Sequence, residues 1–275
     1  MEIRVTTLSE NTANPAVLAE WGLSVLIELN GSMFLLDTGQ GISAAHNAQL
    51  LGIDLARVNK LILSHGHYDH TGGLVSVLAQ TGEIEIIAHP DMWDLKYAVY
   101  GEIQRYIGIP FHREELEGMG AKFQLTREPL WLTDLMVTSG EIPMENDYER
   151  IDAGMYVKDN GSFTPDQLMD DLALGIKSEK GLIVILGCGH RGMINTIRHM
   201  QNITGEEKVY CVLGGTHLIS ADEERLVRTT ADLREIGVEK IGVSHCTGFN
   251  ASCWLAGEFP DRFFLNNSGT VLTLP

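Results

Sequence analysis

The densest group of chemically active side chains in this 275-residue sequence is the segment 65–70, which reads HGHYDH. Its three imidazoles and one carboxylate are ligands that suit Zn²⁺, and also Fe or Mn. Residues two apart in an extended loop point the same way, so His65 and His67 can share one metal ion. Asp69 and His70, at the start of the next predicted helix, would face a second ion. The segment therefore predicts a site for two divalent metal ions.

More distant ligands are needed, because four side chains do not complete two coordination shells. His190, His217 and His245 each follow an apolar run and stand among glycines, as His65 does. The four predicted strands cover 58–63, 182–186, 209–213 and 240–243. A strand end holds ligands at fixed distances, and glycine lets the backbone turn sharply. We therefore predict that His190 and His245 complete the metal site.

Short apolar runs bounded by turn signals predict the other elements that position these side chains. Further strands are expected at 2–8, 23–29, 32–36, 83–88, 135–138, 263–265 and 270–274, and helices at 42–51, 72–79, 193–200 and 222–236. Aromatic and charged residues at roughly helical spacing predict a helical excursion over 91–131, followed by an irregular loop over 142–166 with a turn at Asn160-Gly161. The excursion is too short to build its own core, so we predict a single domain over 1–275.

Composition restricts the partners. The formal net charge is −17, and the negative electrostatic field of such a protein repels the phosphate backbone of nucleic acid. No segment approaches the ~18 uninterrupted apolar residues of a membrane span, and the N-terminus lacks the features of a signal peptide. The cysteines form no C-x-x-C pair, which is typical of reduced thiols. We expect a cytoplasmic protein that acts on a small molecule, without nucleic acid or membrane as a partner.

The motif H-x-H-x-D-H after a strand, preceded by LLDTG at 35–39, resembles the metallo-β-lactamase superfamily over essentially the whole chain. The resemblance implies an α/β fold, a four-layer αββα sandwich of two mixed β-sheets. It also implies that His65, His67 and His190 bind one metal ion, and that Asp69, His70 and His245 bind the other. Asp37 would orient ligands through hydrogen bonds.

A finer resemblance links the strings LSENT (8–12), GEIP (140–143), GGTHL (214–218) and SHCTG (244–248) to one branch of the superfamily. That branch includes proteins similar to dihydropterin ribofuranosylaminobenzene-phosphate synthase. Many superfamily members carry a metal-bridging Asp where this chain has Thr216 and His217. His217 could replace that ligand, donate a proton or contact the substrate. Arg191 and Thr216 are further candidates for substrate binding.

These observations lead to the hypothesis of a metal-dependent hydrolase with two divalent ions, Zn first among them, acting on a small anionic or ester-like substrate. Asp69 would hold the activated water between the metal ions, and His217 would protonate the leaving group. One alternative is a synthase that transfers a pterin methyl group from its diphosphate to a ribofuranosylaminobenzene phosphate. The other is a metal-binding protein without catalysis.

Overall fold

A computed structural model describes residues 2–275, and β-strands form most of its regular structure. The strands, numbered in chain order, are β1 (Ile3–Ser9), β2 (Ser24–Leu29), β3 (Ser32–Leu36), β4 (Val58–Ile62), β5 (Ile84–Ala88), β6 (Lys96–Tyr100), β7 (Ile103–Tyr106), β8 (Ala121–Leu125), β9 (Met136–Thr138), β10 (Met155–Asp159), β11 (Ser162–Pro165), β12 (Ala173–Ser178), β13 (Gly181–Leu186), β14 (Val209–Gly215), β15 (Lys240–Ser244), β16 (Phe263–Leu265) and β17 (Val271–Leu274). The α-helices are α1 (Ser43–Leu50), α2 (Tyr68–Thr71), α3 (Leu74–Thr81), α4 (Arg113–Gly118), α5 (Met193–Thr204), α6 (Glu223–Ile236) and α7 (Gly248–Glu258).

Two large mixed sheets contain most of these strands. The first has the order β17-β1-β2-β3-β4-β5-β8 and changes from antiparallel to parallel pairing at β3. The second has the order β16-β15-β14-β13-β12-β9 and changes from parallel to antiparallel pairing at β13. The inner faces of the two sheets share one apolar core, to which Val25, Ile62, Ile183 and Leu213 belong. The two sheets therefore pack face to face.

Helices cover both outer faces. Ala44 of α1 and Leu74 of α3 lie in the apolar cluster outside the first sheet. Ile197 of α5, Leu233 of α6 and Leu255 of α7 lie in the cluster outside the second sheet. This order of layers confirms the αββα sandwich. Among the described residues, no helix combines the length and the apolar character needed to cross a lipid bilayer.

The predicted helical excursion over 91–131 is wrong, because the segment is mostly strand. It contains β6, β7 and β8, with α4 as its only α-helix. In β6 the side chains of Lys96 and Ala98 are buried while their neighbours are more exposed, which is the period of two expected of a strand. Tyr97 lies opposite Tyr106 across the β6–β7 pair, with their ring centroids 5.4 Å apart. Aromatic residues favour such cross-strand pairs.

The predicted irregular loop over 142–166 also contains regular structure. The turn at Asn160-Gly161 is correct, but it joins β10 and β11 in a hairpin. These two strands and the β6–β7 hairpin form a third, antiparallel sheet in the order β11-β10-β6-β7. This small sheet was not predicted, and it supplies part of the pocket wall described below.

Candidate metal centre and pocket

The parallel strands of both sheets deliver the predicted ligands to one place. The segment 65–70 follows β4, His190 follows β13, and His245 directly follows β15. Asp37 follows β3, the parallel neighbour of β4. The sequence therefore positions these residues through buried strands whose carboxyl ends face a common edge.

Three imidazoles form the first group. His65 Nε2 lies 2.9 Å from His67 Nδ1 and 3.3 Å from His190 Nε2. All three side chains are buried, and their ligand atoms lie within 4.8 Å of one another. Burial lowers the pKa of each imidazole well below its usual value, so the rings are neutral and can present lone pairs to a cation.

One carboxylate and two imidazoles form the second group. His245 Nε2 lies 3.2 Å from His70 Nε2 and 3.3 Å from Asp69 Oδ2. Burial alone would raise the pKa of Asp69, but the hydrogen bond with His245 and the nearby His70 hold it well below its usual value. Asp69 is therefore an anion at neutral pH, as a metal ligand must be.

Asp37 and Ser64 fix the rings of two ligands. His70 Nδ1 donates to Asp37 Oδ2 over 2.7 Å, and the same carboxylate accepts from the backbone N–H and the hydroxyl of Ser64 over 2.7 Å each. Although burial acts in the opposite direction, the Asp37 carboxylate raises the pKa of His70 to about 9. The Ser64 hydroxyl lies 2.9 Å from His65 Nδ1. A Cβ at Gly187 would lie 2.2 Å from the Ser64 hydroxyl oxygen, so this position requires glycine.

Glu10 and Asn11 hold His245. The backbone N–H of His245 donates to Glu10 Oε1 over 2.6 Å, and His245 Nδ1 lies 3.0 Å from Asn11 Oδ1. Trp21 Nε1 donates to Asp69 Oδ2 over 2.9 Å. No role was predicted for Glu10, Asn11 or Trp21, although the string at 8–12 contains two of them.

A buried lysine holds the loop between the first two ligands. Asp170 accepts from the backbone N–H of Gly66 over 2.8 Å and from Lys96 Nζ over 2.9 Å. Lys96 is 1% exposed and also donates to Asp166 over 2.8 Å. The third sheet is thus tied to the ligand loop through β6. No feature of the sequence indicated this network.

The donor set fits two divalent cations. On His65, His70 and His245, the Nδ1 atom faces a hydroxyl, carboxylate or amide oxygen, so Nε2 is the nitrogen directed toward the other predicted ligands. In the first group, neutral ring nitrogens face one another at hydrogen-bond distance, and a cation between them would bind their lone pairs. In the second group, a cation would take the place of the proton that the raised pKa gives His70. Each group supplies three ligands and leaves room for a further one, as catalytic zinc sites do.

His217 lies beside the first group but is not part of it. Its Nδ1 is 2.9 Å from Asp152 Oδ2, and its ring centroid is 4.0 Å from that of His190. Burial opposes protonation, but the hydrogen bond with Asp152 raises the pKa of His217 above its usual value. Asp152, which was not predicted, also accepts from the Ser220 hydroxyl over 2.7 Å.

A pocket of about 590 Å³ opens over the metal-ligand groups, with His67, Asp69, His190, His217 and His245 in its lining. The third sheet adds Tyr100, Arg105 and Met155 to its walls, the loop before β2 adds Trp21, and α2 adds Tyr68.

The structure does not bring Arg191 and Thr216 into the lining of this pocket. The buried guanidinium of Arg191 donates to the backbone carbonyls of Ile142 and Gln167, and Thr216 donates to the Thr247 hydroxyl over 2.9 Å. Arg105 is the cation that lines the pocket, and it lies 3.1 Å from the Tyr68 hydroxyl.

Comparison with known proteins agrees with this fold. The model of the metallo-beta-lactamase superfamily matches residues 22–152. The 7,8-dihydropterin-6-methyl-4-(beta-D-ribofuranosyl)-aminobenzene-5'-phosphate synthase of Methanocaldococcus jannaschii is 36% identical over 98% of this chain and 96% of its own. A crystal structure of a metal-dependent hydrolase of the beta-lactamase superfamily is 28% identical and superposes with a TM-score of 0.86, covering 99% of both chains. The metallo-beta-lactamase fold protein YhfI of Bacillus subtilis shares the fold, at 14% identity and a TM-score of 0.61, with both chains covered completely.

Proposed function

Because this chain is an enzyme of the metallo-beta-lactamase superfamily, in the branch of the Methanocaldococcus jannaschii synthase, we propose that it is a hydrolase with two divalent metal ions. Its substrate is a small anionic or ester-like molecule. The observation that carries the proposal is the pair of buried three-ligand groups, which share one pocket. His65, His67 and His190 would hold one ion, and Asp69, His70 and His245 would hold the other.

Two bound divalent ions lower the pKa of a water toward ~7 and polarise the bond that is to be cleaved. The residues of the chain orient the reactants. Asp69, fixed by Trp21, positions the attacking water. His217 keeps Nδ1 on Asp152, so Nε2 is the nitrogen that protonates the leaving group. Arg105 gives the otherwise acidic chain a positive charge at the pocket for an anionic substrate.

A synthase is the second candidate, and the 36% identity to the Methanocaldococcus jannaschii enzyme favours it. In that reaction the bond between a pterin methyl group and a diphosphate breaks, and an aminobenzene acceptor takes the place of water. The same metal ions and the same proton donor would assist the departure of the diphosphate. The non-catalytic alternative gains no support from these comparisons, since the named relatives are enzymes.

The first test is metal content, by elemental analysis of protein purified without a tag or added metal. We expect about two equivalents of Zn, Fe or Mn in the wild type, and a lower content in His67→Ala and in His245→Ala. His46→Ala is the matched control, because His46 is exposed on α1 and should retain both equivalents. One equivalent or none in the wild type, unchanged in the variants, would contradict the proposal.

The second test separates hydrolysis from transfer. The metal-loaded protein is assayed with a phosphodiester, a lactone, a thioester and a pterin diphosphate, the last with and without the aminobenzene acceptor. Turnover without acceptor, lost in both ligand variants, supports the hydrolase. A product that forms only with the acceptor supports the synthase instead.

A further inference from the structure

Two buried cysteines lie against the proposed metal ligands. Cys188 follows β13 two residues before His190, and Cys246 directly follows His245. The Cys188 Sγ atom is 3.1 Å from His70 Nε2, the nitrogen of that ring that faces His245. The thiol therefore points at an atom that we expect to bind metal.

Cys188 lies close to both groups of predicted ligands. Its sulfur and the ligand atoms of His65 and His70 all lie within 4.8 Å of one another. His65 belongs to the first group and His70 to the second. A donor atom at this place could therefore reach a cation held by either group.

Cys246 is a neighbour of Cys188, but its thiol has other partners. Cys246 Sγ donates to the Cys188 carbonyl oxygen and accepts from the backbone N–H of His217, both over 3.3 Å. These contacts anchor the loops after β13 and β14 to that after β15. Cys246 Sγ lies within 4.8 Å of Cys188 Sγ and of a ligand atom of His245, whereas only Cys188 is grouped in this way with His65 of the first group. Cys246→Ser is therefore the comparison variant that shows which of the two sulfurs binds metal.

We propose that Cys188 is a thiolate ligand of the metal centre, since its sulfur lies near ligand atoms of both groups. The inference rests on the proposed function, because it requires the ions held by the two groups. On binding, the S–H bond breaks, a sulfur–metal bond forms, and the proton passes to solvent without any change of oxidation state. Since thiolate is a soft ligand, the centre selects Zn²⁺ or Co²⁺ over Mn²⁺.

The test is the absorption spectrum of the Co²⁺-loaded protein, for the wild type, Cys188→Ser and Cys246→Ser. Visible d–d bands report Co²⁺ on histidine and carboxylate, and a near-ultraviolet charge-transfer band reports a cobalt–thiolate bond. We expect both features in the wild type and in Cys246→Ser. Cys188→Ser should keep the visible bands and lose the charge-transfer band. Its preference for Zn²⁺ over Mn²⁺ should fall about tenfold or more, since even the loss of a residue that only orients a ligand lowers metal affinity 10–100-fold.

The outcomes separate this inference from the function it rests on. Visible bands without a charge-transfer band in the wild type would overturn the thiolate ligand and leave the metal centre standing. Absence of both features would contradict the proposed function itself. A charge-transfer band lost only in Cys246→Ser would show that Cys246 binds the metal ion, and would overturn the assignment of Cys188.

A measurement without any substitution covers the case in which Cys188→Ser does not fold. X-ray absorption of the zinc-loaded wild type should show a sulfur neighbour at about 2.3 Å from zinc. A zinc shell made only of nitrogen and oxygen would refute the proposal.

Discussion

Replacement of the Asp37 carboxylate by an amide should weaken one of the two metal sites and spare the other. In Asp37→Asn the amide oxygen can still accept from the Ser64 backbone, but the amide nitrogen then stands at the position of Oδ2, 2.7 Å from His70 Nδ1. An amide N–H donates, so His70 must accept at Nδ1 and carry its proton at Nε2. That proton occupies the nitrogen that faces His245 and the second ion.

The size of the effect follows from the position of the contact. Loss of a hydrogen-bond partner behind a ligand typically lowers metal affinity 10–100-fold, which is about 1.4–2.8 kcal/mol. We expect this loss for the ion on Asp69, His70 and His245. The backbone should tolerate the change, because Asp37 has φ = 58° and asparagine adopts this left-handed conformation readily.

Competition with a chromophoric chelator measures the two binding steps separately. Asp222→Asn is the control: Asp222 caps α6 by accepting from the Arg225 backbone N–H, and asparagine caps equally well. The control should bind both ions as the wild type does. If Asp37→Asn also binds both ions with unchanged affinity, Asp37 does not orient His70 for metal binding.

Three further perturbations test the surroundings of the site. Lys96→Met leaves two buried carboxylates without their cation and should lower the free energy of unfolding by about 3–5 kcal/mol, measured by urea denaturation; a change below about 1 kcal/mol would argue against the buried network. Glu10→Gln weakens a charge-assisted hydrogen bond to the His245 backbone, so isothermal titration should show weaker binding of one metal ion and unchanged binding of the other. Burial raises the pKa of Glu149 above 4.5, so this group stabilises the fold below pH 4.5, and that stability is lost as the pH rises through the raised pKa. In Glu149→Gln the free energy of unfolding should fall less between pH 4.5 and pH 7 than in the wild type, and an equal fall in both proteins would refute the assignment.

The sequence predicted the ligands because each lies at the end of a strand whose apolar run is visible locally. His190 and His245 illustrate this, since β13 and β15 are short buried runs that end next to the ligand. The residues that hold the ligands carry no comparable local signal. Glu10 contacts the His245 backbone across a separation of 235 residues, which only the completed fold can show.

The third sheet escaped prediction for a different reason. Lys96 in β6 is one of the charged residues that, together with aromatic residues at roughly helical spacing, predicted a helical excursion over 91–131. In the fold it is 1% exposed, because Asp166 and Asp170 neutralise it. A buried charge with partners seventy or more residues away breaks the alternation of polar and apolar residues that identifies strands.

The proposed metal site depends on the packing of the two sheets more than on either sheet alone. The segment 65–70 belongs to the first sheet, whereas His190 and His245 belong to the second, so each group of ligands draws from both. Asp37, His217 and His245 have φ between 48° and 58°, and such conformations cost about 1–3 kcal/mol each and persist only where their surroundings fix them. The apolar core between the sheets supplies that constraint. It holds these three residues in backbone conformations that the isolated segments would rarely adopt, and the same packing brings the predicted ligands of the two sheets within hydrogen-bond distance of one another.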